Sequence, residues 1–284
     1  MEDKGNITVI KPKDLTHLSI FETQKEIIDD LKKNKWLTAQ FIKRNFLSIH
    51  KQSFLGFLWA FIFPILNVLT FVFLNESGIF ISGVSEVPYP IYATLGMAYW
   101  QLFSSSIMAC TYSIISTGGM IKKINFSLKP IVFSSIGYSV ITFFTQTLLV
   151  VILLLIYGYV PNIVALLASI VFIIPIIFLS TGFGLIFAIF NTIAHDVASI
   201  LTAILPFLML ITPVLYIVPE TGIIKFLSTI NPVYYLISFP RDLILFSSSS
   251  LTTEYFITVV FSIVCFWILL TAFHVTEKRI KEIL

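Results

Sequence analysis

Residues 53–74 read SFLGFLWAFIFPILNVLTFVFL, without one charged side chain. A helix of about 20 residues rises about 30 Å, the thickness of a bilayer's hydrocarbon core. Five more apolar runs follow, and the spans are placed near 54–74, 91–116, 131–157, 163–190, 199–218 and 255–274. The fold class expected is an all-α polytopic membrane protein with six transmembrane helices. The second, third and fourth runs are long enough to tilt or to extend past the lipid. Pro64, Pro175, Pro206 and Pro213 fall inside these runs. Membrane helices tolerate proline where neighbouring helices satisfy the freed carbonyls.

Composition closes off other classes. Of 284 residues, 57% are hydrophobic and 12% charged, whereas a soluble domain is nearer one quarter charged. The longest polar stretch is the first 50 or so residues, which leaves no room for a large soluble domain. That stretch has no apolar core followed by a small-residue cleavage site, so it is not read as a signal peptide. Cys110 and Cys265 both lie in apolar runs and read as packing residues rather than a disulfide or metal pair.

Charge sets the expected orientation. Segments 1–53, 117–130, 191–198 and 275–284 hold 16 of the 18 Lys and Arg residues, and only Lys225 and Arg241 fall in the alternate segments. The positive-inside rule places the first set, and with it both termini, in the cytoplasm. The asymmetry argues for orientation, not for nucleic-acid binding.

On that side, residues 1–35 form an N-terminal extension with a helical pattern near 20–33, and 36–52 form an amphipathic helix. In the latter, Ala39, Ile42, Phe46 and Ile49 recur at helical spacing beside Lys43 and Arg44. This suits a helix lying in the headgroup layer, or a plain anchor for the first span. The loop 116–130 holds Gly118 and Gly119, which can end a helix, and Pro130, which can begin one. Between them, Lys122 and Lys123 sit among Ile124, Phe126 and other apolar residues. The loop is either a turn folded on the membrane surface or a knob that docks into a partner.

The outer connection, 219–254, carries two apolar clusters broken at Asn231-Pro232. They read either as two short re-entrant helices or as two helices lying flat, with Arg241 and Asp242 returning to the surface. Re-entrant backbone must be shielded by protein or line a wet cavity.

No ionisable residue lies mid-span, which argues against a proton-driven carrier. No GxxxxGK[ST] loop is present, so ATP phosphates are not held in that way. No HExxH, GxSxG or acidic cluster points to catalysis or a metal site. His17, His50, His195 and His274 are scattered, and the pair His195-Asp196 is a weak signal. If the chain drives transport, the energy comes from another polypeptide.

The order of features resembles a known family. Lys51-Gln52-Ser53-Phe54-Leu55-Gly56-Phe57-Leu58-Trp59, continuing to Pro64, is similar to the KQ[ST]xLGxxWxxxxP pattern of ABC-2 type permeases that export O-antigen, capsule and teichoic acid. Tyr99-Trp100 with Phe103-Ser104, Lys123 with Phe126, Asp196, Thr212-Pro213-Val214 with Tyr216, and Asn231-Pro232 with Tyr234 follow in the same order. The family often has Arg-Tyr where this chain has Ile49-His50, FPR where it has Phe126-Ser127-Leu128, and Arg-Asp where it has His195-Asp196.

The resemblance covers about residues 36–284, with 53–284 as the transmembrane domain. It implies a permease subunit in a bacterial cytoplasmic (inner) membrane that moves a lipid-linked polysaccharide outward. Its partners would be a second copy of the chain, two ABC ATP-binding subunits, the lipid-linked glycan and membrane lipid. ATP and Mg would sit on the ATP-binding subunits, with no cofactor, metal or catalytic residue on this chain. It also implies an interface helix at 36–50, a coupling loop at 118–129 and two outer gate helices at 220–245. ATPase contact then falls to Lys122, Lys123, Ile124, Phe126, His195 and Asp196. The sugar path would use rings, with Tyr89, Tyr92, Tyr99, Trp100, Tyr216, Tyr234 and Tyr235 as candidates.

Overall fold

The structure, a computed structural model, describes residues 20–50, 58–78, 86–121 and 127–283. Among the described residues every regular element is a helix: α1 (Ile20–Lys33), α2 (Lys35–His50), α3 (Trp59–Glu76), α4 (Tyr89–Ile121), α5 (Lys129–Tyr157), α6 (Ile163–Ile193), α7 (Asp196–Ile211), α8 (Ile223–Ile230), α9 (Pro232–Phe246) and α10 (Thr252–Ile283).

Helices α5 and α6, and α10 over Thr252–Glu277, are long and apolar enough to cross a membrane. Helix α7 is apolar but shorter, with 16 residues, and much of α3 is of the same kind. Helix α4 is the longest, at 33 residues, yet its run is rich in hydroxyls. Thr94, Ser105, Thr111 and Thr117 each donate to a carbonyl four residues back. This back-bonding leaves few of those groups wanting a partner, so a hydroxyl-rich helix can sit at the centre of the bundle. It packs against α3, α5, α6, α7 and α9.

The long helices run alternately between two ends of the molecule. At one end, α1 meets the start of α5 and the late part of α10. At the other, the α8–α9 hairpin meets the start of α4 and the end of α7. Two apolar clusters hold the bundle. The larger, toward the hairpin end, includes Tyr92, Leu95, Tyr99, Phe143, Leu179 and Leu236. The smaller, at the α1 end, gathers Ile27, Phe41, Leu128, Ile131, Leu270 and Phe273.

Three expectations change. The helix that Gly118 and Gly119 could have ended runs on through both to Ile121, and among the described residues a β-carbon at either glycine would meet nothing within 4 Å. The fifth span, expected to reach 218, ends at Ile211, where Thr212 turns extended before Pro213. Helix α10 continues past 274 to Ile283. The expected start of a helix at Pro130 is met, with that proline in the first turn of α5.

Candidate functional site

The hairpin end is built around Asn231. Its side-chain oxygen Oδ1 accepts from the Val233 amide at 3.0 Å and so caps α9. Its side-chain amide donates to Thr212 Oγ1 at 2.7 Å, tying the pivot to the end of α7. Pro232, with no amide hydrogen to leave unpaired, fills the first turn. The break expected at Asn231-Pro232 is thus the bend between the two helices. Helix α8 leaves Ile223, Phe226 and Ile230 exposed. Helix α9 is wedged among α4, α6 and α10. There Phe239 stacks on Tyr255 at 4.2 Å, and Phe172 meets both rings edge-on.

Arg241, expected at the surface, is only 2% exposed. Its guanidinium donates to the carbonyls of Pro213 at 3.3 Å and Val214 at 2.6 Å, and to Ser238 Oγ at 3.2 Å. Its carbon lies 4.0 Å over the Tyr92 ring, a cation–π contact that gains strength when desolvated. The reason for burial is local. Past Ile211 the chain leaves helical geometry, so the carbonyls of 213 and 214 need a donor from elsewhere. Gly96 on α4 makes room: a β-carbon there would collide with the Val214 carbonyl oxygen.

A cavity of ≈ 420 Å³ opens beside this node, lined among others by Tyr92, Lys225, Tyr234, Arg241 and Asp242. It offers rings, hydroxyls and charges of both signs. That mixture suits polar groups carried on an apolar framework rather than a purely apolar guest.

The seven candidate path aromatics divide. Tyr92 and Tyr234 meet at the cavity. The Tyr234 and Tyr235 rings lie 5.0 Å apart, and the Tyr235 hydroxyl donates to the Thr229 carbonyl at 2.8 Å. The Tyr216 hydroxyl donates to the Leu210 carbonyl at 2.7 Å, and Tyr89 is buried near the start of α4. Tyr99 and Trp100 lie inside the bundle, packed on Phe143 and Phe103.

At the other end, α2 turns Leu37 and Phe41 inward, one turn apart, and Arg44 lies 4.7 Å over the Phe41 ring. The expected face differs in part: Ala39, Lys43 and Arg44 are exposed, while Ile42 presses on Gly137 of α5, whose missing β-carbon allows the approach. The side chains of Phe46 and Ile49, and the loop residues Lys122, Lys123, Ile124 and Phe126, lie outside the described residues. His195 and Asp196 open α7 and are exposed. Beside them Asn191, which the sequence did not single out, is buried, accepting from the Ala198 amide and donating to the Thr111 carbonyl.

A second group unread in the sequence is an ion triad. Lys129, only 1% exposed, donates to Asp30 Oδ2 and Glu277 Oε2, each at 2.7 Å. Burial raises the Asp30 carboxyl, but hydrogen bonds from Lys129 and Ser127 outweigh it and hold the group below the usual carboxylate value. The partners stand about 100 and 150 positions from Lys129, so no local pattern signals them.

Residues 37–245 match the model of the ABC-2 type transporter family. A curated relative, the O-antigen export system permease protein RfbA of Myxococcus xanthus, is 25% identical over 191 residues, covering 67% of this chain and 72% of the relative. The match spans well over half of the chain, from the second helix to the end of the hairpin, and the chain belongs to the ABC-2 type transporter family.

Proposed function

We propose that the chain is the membrane-spanning permease of an ATP-driven exporter that carries a lipid-linked polysaccharide from the cytoplasm to the outer face of the inner membrane. The observation that carries the reading is the family match over 37–245, with a relative named for O-antigen export. On this reading α3–α7 and α10 are the six spans, and the α1 end with both termini is cytoplasmic. Two copies pair, and two ATP-binding subunits below them hold ATP and Mg. The α8–α9 hairpin is the outer gate. Support for a re-entrant gate comes from α9, whose backbone is shielded by three helices rather than laid on a surface.

The physical task is a cargo whose sugars avoid hydrocarbon and whose tails avoid water. A seam between two copies, open sideways to lipid, meets both demands. Exposed apolar side chains on α3 (Phe63, Leu66, Leu69) and α7 (Ile204, Phe207, Leu210) supply faces for the partner copy and for lipid. Tyr234 and Tyr235 offer rings on which sugar C–H faces slide without directional bonds.

Affinity purification in mild detergent tests the class, with a stoichiometric ATP-binding subunit expected beside the chain. In cells lacking the gene, a lipid-linked glycan should accumulate inside. Accumulation of a small lipid or drug instead would assign the other cargo. Ion conduction by the chain alone, or turnover of lipid-linked sugar without ATP, would replace the reading with a channel or an enzyme.

A further inference from the structure

We propose that α1 is a built-in clamp on the base of the α4–α5 loop, closed by the Asp30–Lys129–Glu277 triad, through which displacement of that loop reaches α5 and α10. The inference rests on the reading of this loop as the contact for an ATP-binding subunit.

Helix α1 lies outside the stretch that matches the family, which begins at residue 37. It is nonetheless docked. Ile27 is fully buried in the cluster that holds Phe41, Leu128 and Phe273. Asp30, one turn on, shares that face and reaches Lys129. Lys129 opens α5, so the triad sits where the loop joins the bundle.

The two residues before it are held as well. Ser127 Oγ donates to Asp30 Oδ2 at 2.8 Å, and the Leu128 amide donates to Glu277 Oε1 at 2.6 Å. Three consecutive residues are thus gripped by two acids, one from each terminal region of the chain. Within the triad one ammonium faces two carboxylates, and the excess negative charge is taken up by the Ser127 hydroxyl and the Leu128 amide.

Such a contact does not stretch gradually. Charge-assisted hydrogen bonds are short and directional, and pulling Lys129 away leaves buried charge without a partner. The loop end therefore moves together with α1 and α10, or the triad opens. Either way α1 senses the position of the loop. Glu26 and His274, 3.8 Å apart on the same two helices, are the further titratable groups facing the triad from α1 and α10. The α5 side contributes Lys129.

The test uses the full chain with Asp30→Asn, which leaves Lys129 paired to Glu277, and Asp30→Glu as the conservative control. In detergent, hydrogen exchange over 20–33 and 127–135 should rise on the order of tenfold in Asp30→Asn. Exchange in α6 should not change, and Asp30→Glu should stay near the native rate. Native protection in Asp30→Asn would overturn the clamp. In the transporter assembled with its ATP-binding subunits, Asp30→Asn should hydrolyse ATP within about twofold of native, while cargo moved per ATP falls on the order of fivefold. Hydrolysis and export falling in equal proportion would overturn the transmitting role. Failure to recover any ATP-binding subunit would instead overturn the proposed function, with the exchange measurement still deciding the clamp.

Discussion

Arg241 stands 4.0 Å over the ring of Tyr92 while its guanidinium serves the carbonyls just past the end of α7. One side chain of α9 thereby joins α4 to α7. Arg241→Met should strand two buried carbonyls and cost about 3 kcal/mol. Thermal unfolding in detergent should show the loss. Arg241→Lys should recover only part of it, because an ammonium lacks the planar fork.

Gly96 is the counterpart on α4. Gly96→Ala drives a methyl into the Val214 carbonyl oxygen, and should destabilise the chain by about 1–3 kcal/mol. Gly118→Ala meets open space inside the same helix and should be neutral or slightly stabilising, since alanine favours helix. Melting temperatures of the two variants in the same detergent make the comparison.

Lys129→Met should cost about 3–5 kcal/mol, because it leaves two carboxylates facing each other without their cation. The triple variant Lys129→Met, Asp30→Asn, Glu277→Gln should recover much of that loss, since no unpaired charge remains. Circular dichroism melts of the single and triple variants give the difference.

Acid should act on the triad late. The Asp30 carboxyl is held below its ordinary value in the folded chain, so its contribution is complete above the ordinary carboxylate pKa of about 4 and is lost as the pH falls through the lower folded value. The gap in melting temperature between the native chain and Asp30→Asn should stay constant from about pH 8 to about pH 5 and close below about pH 4. A gap that closes near neutrality would assign the stabilisation to another group.

Tyr234→Ala with Tyr235→Ala should lower glycan export about fivefold by removing two stacking rings. The melting temperature should change little, because the Tyr235 hydroxyl donates to the Thr229 carbonyl at an exposed site and Tyr234 lines the open cavity. Export assays in cells, beside the melts, check both halves.

The helices were legible because apolar runs and their breaks are local signals. The 20–33 pattern gave α1, Pro130 marked the start of α5, and Asn231-Pro232 marked the hairpin bend. The site was less legible. Arg241 looked like a surface cation because it sits next to Asp242, and nothing nearby announces the orphaned carbonyls of Pro213 and Val214. Lys129 drew no reading at all, for its acids come from two distant parts of the chain. Tyr99 and Trp100 carry the same composition signal as Tyr234, and only packing on Phe143 and Phe103 separates core from surface rings.

Helix α7 ends after 16 residues, a rise of about 24 Å. Beyond it Val214 and Leu215 are buried in protein, so the chain quits the outer wall of the bundle early. If α7 is a span, as proposed, it is shorter than a hydrocarbon layer of about 30 Å, and local thinning is one way to meet the mismatch. On the proposed function, such thinning beside the α8–α9 hairpin would shorten the distance a polar headgroup travels. Reconstitution in a series of lipids should favour short acyl tails.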